Sequence, residues 1–205
     1  MEALGLTQRP HQRRVHTTNS RHDFPRYPNL VRELVIVRPD QVWVSDLTYV
    51  RLCNDWIYLA IVMDLFTRSL RGWHLSTSLA TNLTVGALHM ALAQGRPQIH
   101  HSDQGVQYAA DEYTRRLKEL GIDISMAEVG HSEQNPFAER VIRTIKEEEV
   151  YLSDYRDLHD AREQIGRFIN SVYQRKRIHS SLGYLTPAEF EAQWRHAHAP
   201  SEVQG

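Results

Sequence analysis

The chain has 205 residues, of which 41% are hydrophobic and 24% are charged. This composition is typical of one well-buried globular domain of about 150 residues with extensions. No apolar run approaches the roughly 18 residues that a membrane helix needs, and the first residues lack the apolar core of a signal peptide. Cys53 is the only cysteine, which excludes internal disulfides and paired-cysteine zinc modules and fits the reducing cytoplasm, where we expect the protein to act.

The net charge of −1 favours no class of partner, but the charge is unevenly distributed. Seven arginines lie between residues 8 and 38, where the acids are Asp23 and Glu33. Five lysines and arginines lie between residues 162 and 179, where the only acid is Glu163. Basic flanks of this kind are able to hold a phosphate backbone. Ordinary solvated surface charge is the alternative explanation.

The first part of the chain predicts an extended segment followed by an antiparallel β-meander. Residues 1–38 are rich in arginine and proline and show little periodicity, so we expect a basic, partly disordered lead-in. Apolar and β-branched runs predict strands at residues 41–52, 56–64 and 68–76.

The rest of the chain predicts helices alternating with short strands, and then helices alone. Helices are predicted at residues 82–94, 111–120, 139–149, 157–173 and 186–194, and strands at 98–101 and 122–126. This order is that of an α/β, ribonuclease H-like fold, with a five-stranded mixed sheet flanked by helices. We expect the core to span residues 39–152 and a helical extension to span residues 153–205.

Three acidic residues are the main candidates for chemistry. Asp46 lies within the apolar run WVSDLTYV, Asp103 follows a predicted strand in HSDQGVQY, and Glu139 opens a predicted helix in NPFAERVIRTIK. Each has an ordinary structural explanation when taken alone: a bulge or edge aspartate, a turn aspartate, and a solvated helix face. If the three carboxylates converge, they would form a site for hard cations, which is the chemistry of phosphodiester cleavage and transfer.

The surroundings of these acids are similar to a known family. WVSDLTYV, HSDQGVQY, NPFAERVIRTIKEEEV and RIHSSLGYLTPAEFE together resemble the catalytic half of bacterial insertion-sequence transposases with a retroviral-integrase-like core, and most of all the IS3 family. The similarity runs from about residue 27 to residue 194. The 35 residues between Asp103 and Glu139 are also the spacing of that family.

The resemblance implies a retroviral integrase-like catalytic core in which Asp46, Asp103 and Glu139 are both the catalytic residues and the metal ligands. The implied cofactor is a pair of Mg²⁺ ions, with Mn²⁺ as an alternative. The implied activity is that of a DDE-type transposase, which cleaves and joins DNA strands at the ends of an insertion sequence. Water would attack in nicking and a DNA 3′-hydroxyl in strand transfer, so no covalent protein–DNA intermediate is needed.

The resemblance also implies contacts with DNA. Lys146, seven residues after Glu139, matches the basic residue with which the family contacts terminal DNA, and Arg143 lies on the same predicted helix. Asn135 matches the asparagine that precedes this helix in the family, and two roles remain open for it, ordering the helix start or contacting DNA. The acidic neighbour usual in the family is replaced by Gln134, which puts any role of that neighbour in doubt.

Arg177 and His179 belong to the RIHSSLGY segment, which also matches the family. A packing role is favoured for this segment. Both side chains could nevertheless reach a phosphate, so they are included among the candidate DNA-binding residues.

Family members usually carry a helix-turn-helix region before the core, partly on another reading frame. Residues 1–6 resemble the tail of such a region, so we expect residues 1–38 to hold its remnant. The expected partners are DNA, both element ends and target, further copies of this chain in a homo-oligomer on DNA, and an upstream-frame helix-turn-helix protein. We expect no membrane partner, and a location at the bacterial nucleoid.

Two other functions are compatible with parts of the sequence. The chain could be a non-catalytic DNA-binding or regulatory fragment of the full-length transposase, although such a role needs no acidic triad. It could also be a ribonuclease H-like nuclease that only hydrolyses, although Lys146 and the RIHSSLGY segment favour transposition.

Overall fold

The computed structural model describes residues 24–128 and 134–199, which contain a five-stranded mixed sheet. The strands are β1 (Val42–Arg51), β2 (Trp56–Asp64), β3 (Leu70–Ser76), β4 (Ile99–Ser102) and β5 (Asp123–Met126). Their order in the sheet is β3-β2-β1-β4-β5. The first three strands form the predicted antiparallel meander, and β4 and β5 extend the sheet in parallel with β1. The prediction of an α/β fold with a five-stranded mixed sheet is confirmed.

The helices flank the sheet in the predicted order, with some differences at their ends. They are α1 (Thr81–Leu92), α2 (Val106–Ala109), α3 (Asp111–Glu119), α4 (Pro136–Glu148), α5 (Leu158–Arg167) and α6 (Pro187–Ala197). Helix α4 begins three residues before the predicted start because Pro136, whose fixed φ suits the first turn, opens it. The four-residue α2 was not predicted, and a π-helix (Phe168–Tyr173) continues α5. No helix in the described ranges is long and apolar enough to cross a membrane.

Both faces of the sheet are covered, which explains why β1 and β2 bury apolar residues on both of their faces. Alternate residues of β1 enter two different cores: Val42 and Val44 join α4, α5 and the π-helix, whereas Trp43 and Leu47 join α1 and α3. Residues after 152 thus share a core with the sheet. The proposed division at residues 38 and 152 stays a prediction, and residues 1–23 of the lead-in lie outside the described residues.

A buried arginine joins the C-terminal helix to the sheet. Arg71 on β3 is only 4% exposed, and its Nη1 donates to both carboxylate oxygens of Glu191 on α6, at 3.0 and 2.9 Å. Its Nη2 lies 3.2 Å from Asp40 Oδ1, and Arg195 forms a second pair with Glu191 at 2.6 Å. Burial acts to raise the Glu191 pKa, but the hydrogen bonds and charges of the two arginines hold it below its usual value. A charge this deeply buried is tolerated only with such partners.

A neutral histidine lies beneath the central strand. His100 is buried on β4, with its Nε2 2.8 Å from Ser45 Oγ and 2.9 Å from the Tyr113 hydroxyl. Burial, and then the charge of His101, lower the pKa of His100 to about 3. The imidazole is therefore uncharged at neutral pH.

This histidine predicts a pH dependence of stability. Since its pKa in the folded protein is about 3 and that of an unfolded histidine is about 6.5, only the unfolded chain takes up a proton between these values. The free energy of unfolding should therefore fall by about 1.4 kcal/mol per pH unit as pH drops through this window, as far as this residue is concerned. Urea unfolding of the parent and of His100→Gln between pH 7 and 5 measures the difference in slope.

The matched control for this experiment is His159→Gln, which removes an exposed histidine at the start of α5. The control should keep the parent's slope of unfolding free energy against pH. The slope of His100→Gln should be smaller than the parent's by the contribution of about one proton. Equal slopes for the parent and His100→Gln would contradict the prediction, because they would show that His100 takes up its proton in the folded state as readily as in the unfolded one.

Candidate active site

The first two predicted acids are neighbours because of the pairing between β1 and β4. The parallel register places Val42 beside Ile99 and Val44 beside His101. Continued by two residues, the same register places Asp46 beside Asp103, which directly follows the last residue of β4. Adjacent strands are about 4.8 Å apart, so the two carboxylates leave the sheet close together, at the carboxyl ends of parallel strands where α/β sheets hold ligand groups.

The third acid comes from the first turn of α4. Asn135, the N-cap residue of this helix, is 4% exposed, and its Nδ2 donates to the carbonyl of Ser45 at 2.9 Å. This bond ties the helix start to the residue that precedes Asp46. Of the two roles left open for Asn135, the structure supports ordering the helix, and Glu139 follows one turn later.

The electrostatics of Asp46 demonstrate that the acids interact. Burial raises the pKa of this carboxyl well above its usual value, and the charge of Asp103, and then that of Glu139, raise it further. The Leu47 amide, which donates to Asp46 Oδ1 at 2.7 Å, and the Lys146 ammonium act in the opposite direction. The structure thus brings the predicted triad and Lys146 within electrostatic reach of one another.

The chemistry of this donor set suits a hard cation. All three groups are carboxylates, and their mutual repulsion is what a divalent cation would relieve. Asp103 is oriented by the Gly105 amide, which donates to its Oδ1 at 2.9 Å. Within residues 24–128 and 134–199, no group of three or more His, Cys, Asp or Glu side chains is placed to hold a metal ion. Mg²⁺ is usually held by one or two carboxylates together with water and substrate phosphates, so two of these carboxylates are enough protein ligands.

Two of the predicted DNA-binding residues, Lys146 and Arg143, lie on α4. Lys146 is half-buried, its Nζ lies 4.0 Å from the centroid of the Tyr49 ring, and Tyr49 in turn packs edge-on against Trp56. Burial lowers the pKa of Lys146, while Asp46 opposes this shift. A groove of about 640 Å³ opens beside these side chains. Arg143 is exposed on the same helix.

The other two predicted DNA-binding residues lie elsewhere. Arg177 and His179 line a separate cavity on the opposite side of α4, together with Arg140 and Thr144 of that helix. Arg177 donates through its Nε to both carboxylate oxygens of Glu148, at 2.9 and 3.1 Å. The structure therefore does not bring these residues to the triad.

Sequence reasoning missed a tyrosine at the site. Tyr108 on α2 is 1% exposed, and its hydroxyl has no hydrogen-bond partner among the described residues. Its pKa is raised, first by burial, next by Tyr113 and then by the charges of Asp46 and Asp103, so the hydroxyl lies near the two carboxylates. The residue was present in the motif HSDQGVQY, but the short α2 gives no periodic signal that would have marked it.

The fold agrees with that of solved retroviral integrases. The catalytic core domain of human T-cell lymphotropic virus 2 integrase, solved in complex with magnesium in a trimeric form, matches 75% of this chain and 97% of its own, with a TM-score of 0.61 and 17% identity. A chain of the simian T-cell lymphotropic virus intasome, solved with the PP2A regulatory subunit B56 gamma, matches 91% of this chain and 63% of its own, with a TM-score of 0.63 and 19% identity. These similarities establish the ribonuclease H-like fold, as predicted.

The sequence matches an integrase core domain family at residues 37–132, and a second family of the same description at residues 120–187. An uncharacterized 31 kDa protein of insertion element IS600 from Shigella sonnei is 36% identical over 87% of this chain and 67% of its own length. The IS629 transposase of the same species is 33% identical, with coverages of 93% and 65%. The transposase InsF of IS3A from Escherichia coli K12 is also 33% identical, with coverages of 83% and 60%.

The chain thus spans 60–67% of the length of these three relatives. The similarity covers all four motifs on which the resemblance was recognised, and the fold agrees with it. The chain belongs to the IS3 family of insertion-sequence transposases and carries an integrase-like core.

Proposed function

We propose that this chain is the catalytic part of a transposase, a polynucleotidyl transferase that cleaves and joins DNA strands at the ends of an insertion sequence. The observation that carries this proposal is the pairing of β1 with β4, whose register places Asp46 beside Asp103. The Asn135–Ser45 hydrogen bond brings the start of α4, and with it Glu139, to the same strand. The charges of Asp103 and Glu139 both raise the pKa of Asp46. Like charges gathered in a partly buried site destabilise a fold. A purely structural site has no need of them, whereas a site for cations and phosphate does.

In this proposal Asp46, Asp103 and Glu139 hold two Mg²⁺ ions, or Mn²⁺, between the enzyme and the scissile phosphate. Bound there, the ions would activate the attacking oxygen and stabilise the leaving one in an in-line displacement. The chain's own residues do the positioning. The Leu47 and Gly105 amides orient two of the carboxylates.

Lys146 is proposed to hold a phosphate of the terminal DNA next to the reacting one. Its ammonium is fixed over the Tyr49 ring, at a place where it also acts on Asp46. The half-buried ammonium would bind a phosphate more strongly than a freely moving surface lysine, because less water screens it. Arg143, exposed on the same helix, would extend this contact along the backbone.

The proposed partners follow from this activity. They are the DNA of element ends and target, further copies of this chain on that DNA, and the helix-turn-helix protein of an upstream frame, in the cytoplasm at the nucleoid. A non-catalytic, regulatory fragment is the second candidate.

Replacing one carboxylate tests the catalytic role. Asp103→Asn should lower strand transfer by more than about 100-fold, because even groups that only support a metal ligand contribute 10–100-fold. Strand transfer is measured with Mg²⁺, an oligonucleotide that mimics a pre-cleaved element end, and a plasmid target. Asp123→Asn, which removes an exposed carboxylate on β5, is the matched control and should behave like the parent.

A second measurement separates loss of metal from loss of fold. Without metal, Asp103→Asn should melt at or above the parent's temperature, because it removes a repulsion on Asp46. Mg²⁺ should then raise the melting temperature of the parent more than that of the variant. Full strand transfer by Asp103→Asn would contradict the triad, and DNA binding by the parent without any product would favour the regulatory fragment.

The role of Lys146 predicts a change in the salt dependence of DNA binding. Lys146→Gln should weaken binding of an element-end duplex several-fold and reduce the slope of log affinity against log salt by about 0.9, the value for one phosphate contact. Lys118→Gln is the control, because Lys118 also lies over a tyrosine, Tyr27, at 5.3 Å, but on α3. Equal slopes for the two variants would exclude the proposed contact of Lys146.

A further inference from the structure

A second basic site lies across α4 from the triad. A cavity of about 490 Å³ there is lined by side chains that we call the arginine pocket: Arg68, Arg140, Arg177, His179, Ser180 and Ser181. Arg68 comes from the turn after β2, Arg140 from α4, and the other four from the segment after the π-helix. Three sequence-distant elements thus place their polar groups around one space.

Two polar atoms in the arginine pocket have no hydrogen-bond partner. Arg68 Nη1 and His179 Nε2 are buried, and neither has a hydrogen-bond partner in the part of the chain that the structure describes. The Arg68 guanidinium stacks 4.0 Å from the centroid of the Phe137 ring, which holds it in place without satisfying its donors. A buried polar group without a partner is costly, and such groups in native proteins call for an explanation.

The positive charge of the pocket is also incompletely balanced. Arg177 is paired with Glu148. Arg68 and Arg140 form no ion pair with any acid in the described ranges. Burial, and then the charges of the three arginines, lower the pKa of His179 to about 4, so the imidazole is neutral and adds no charge of its own. The pocket therefore offers two unpaired guanidinium groups to an anion.

The backbone of Arg68 is fixed beside the pocket. Arg68 has a φ of 61°, which is uncommon for a residue with a bulky side chain. Its carbonyl accepts a hydrogen bond from the Tyr173 hydroxyl at 3.1 Å, and its amide donates to the Asp64 carbonyl at 2.9 Å. Two buried residues thus maintain the backbone conformation, and the Phe137 ring positions the guanidinium.

We propose that the arginine pocket binds a backbone phosphate of DNA, separate from the phosphate at which the triad acts. Arginine is suited to this ligand because its planar fork matches the geometry of phosphate oxygens. Contacts of this kind position the nucleic acid and read no sequence. The inference rests on the proposed function only in taking DNA as the substrate.

Helix α4 explains how one DNA could reach both sites. Successive residues of a helix point about 100° apart, so Glu139 and Arg140 face different sides of α4 although they are neighbours in the sequence. DNA that crosses the first turns of this helix would then meet the triad on one side and the arginine pocket on the other. The pocket would fix the direction in which the backbone runs past the triad.

Salt-dependent binding by Arg140 variants tests this proposal. The probe is a fluorescent duplex of arbitrary sequence, titrated in EDTA at several salt concentrations, so that binding is measured without cleavage. Arg140→Gln should weaken binding several-fold and lower the salt slope by about 0.9, whereas Arg140→Lys should keep the slope. The matched control is Arg115→Gln, which removes an exposed arginine on α3 and should leave the slope unchanged. Arg140 is itself exposed, so the fold should survive, and melting curves verify this.

Replacing single DNA phosphates by uncharged methylphosphonates identifies the phosphate that the arginine pocket contacts. Single methylphosphonates are placed at successive positions of an element-end duplex, and one position should weaken binding to the parent but not to Arg140→Gln. If no position behaves in this way, or if Arg140→Gln binds like Arg115→Gln, the pocket is not a phosphate site. These outcomes are independent of strand transfer. Activity that persists in Asp103→Asn would refute the proposed function while leaving the salt and methylphosphonate results to decide on the pocket.

Discussion

The parallel pairing of β1 with β4 is the constraint on which the rest of the structure depends. It alone brings Asp46 and Asp103 together, although 56 residues separate them in the chain. Both strands are largely buried on both faces, as parallel strands usually are. Asn135 then fixes α4 against the same strand, which adds Glu139. The fold therefore imposes the repulsion between the acids, which a bound cation would relieve.

Helix α4 separates the two candidate sites and contributes residues to both. Its core-facing residues, among them Ala138, Val141 and Ile145, are buried against the sheet and prevent the helix from rotating. Glu139 and Lys146, almost two turns apart, then lie on the side of Asp46. Arg140 is directed to the arginine pocket. If α4 holds the proposed ligand Glu139 and the two proposed phosphate contacts, a change in its tilt would move all of them together, and the positions of the DNA and of the carboxylates would be coupled.

Much of this arrangement could be predicted from the sequence, because the signals are local. The continuous apolar run of β2 marks a central strand, and the motifs around Asp46, Asp103 and Glu139 mark the candidate triad. What could not be predicted depends on contacts distant in sequence. The amide of Asn135 bonds a residue 90 positions earlier. The start of α4 was misplaced because the predicted helix was drawn from its charged and apolar repeat, which begins only after Pro136.

The C-terminal motif RIHSSLGY illustrates why distance in sequence hides function. A packing role was favoured for it, and the structure contains packing of this kind, since Tyr173 is buried in the core and its ring lies edge-on to His179. Yet the same tyrosine hydroxyl holds the carbonyl of Arg68, and the motif itself supplies Arg177 and His179 to the arginine pocket. Packing and the proposed anion binding would then be two consequences of one arrangement. A segment far from the triad in sequence would belong to the catalytic unit because it builds the second place at which that unit holds the phosphate backbone.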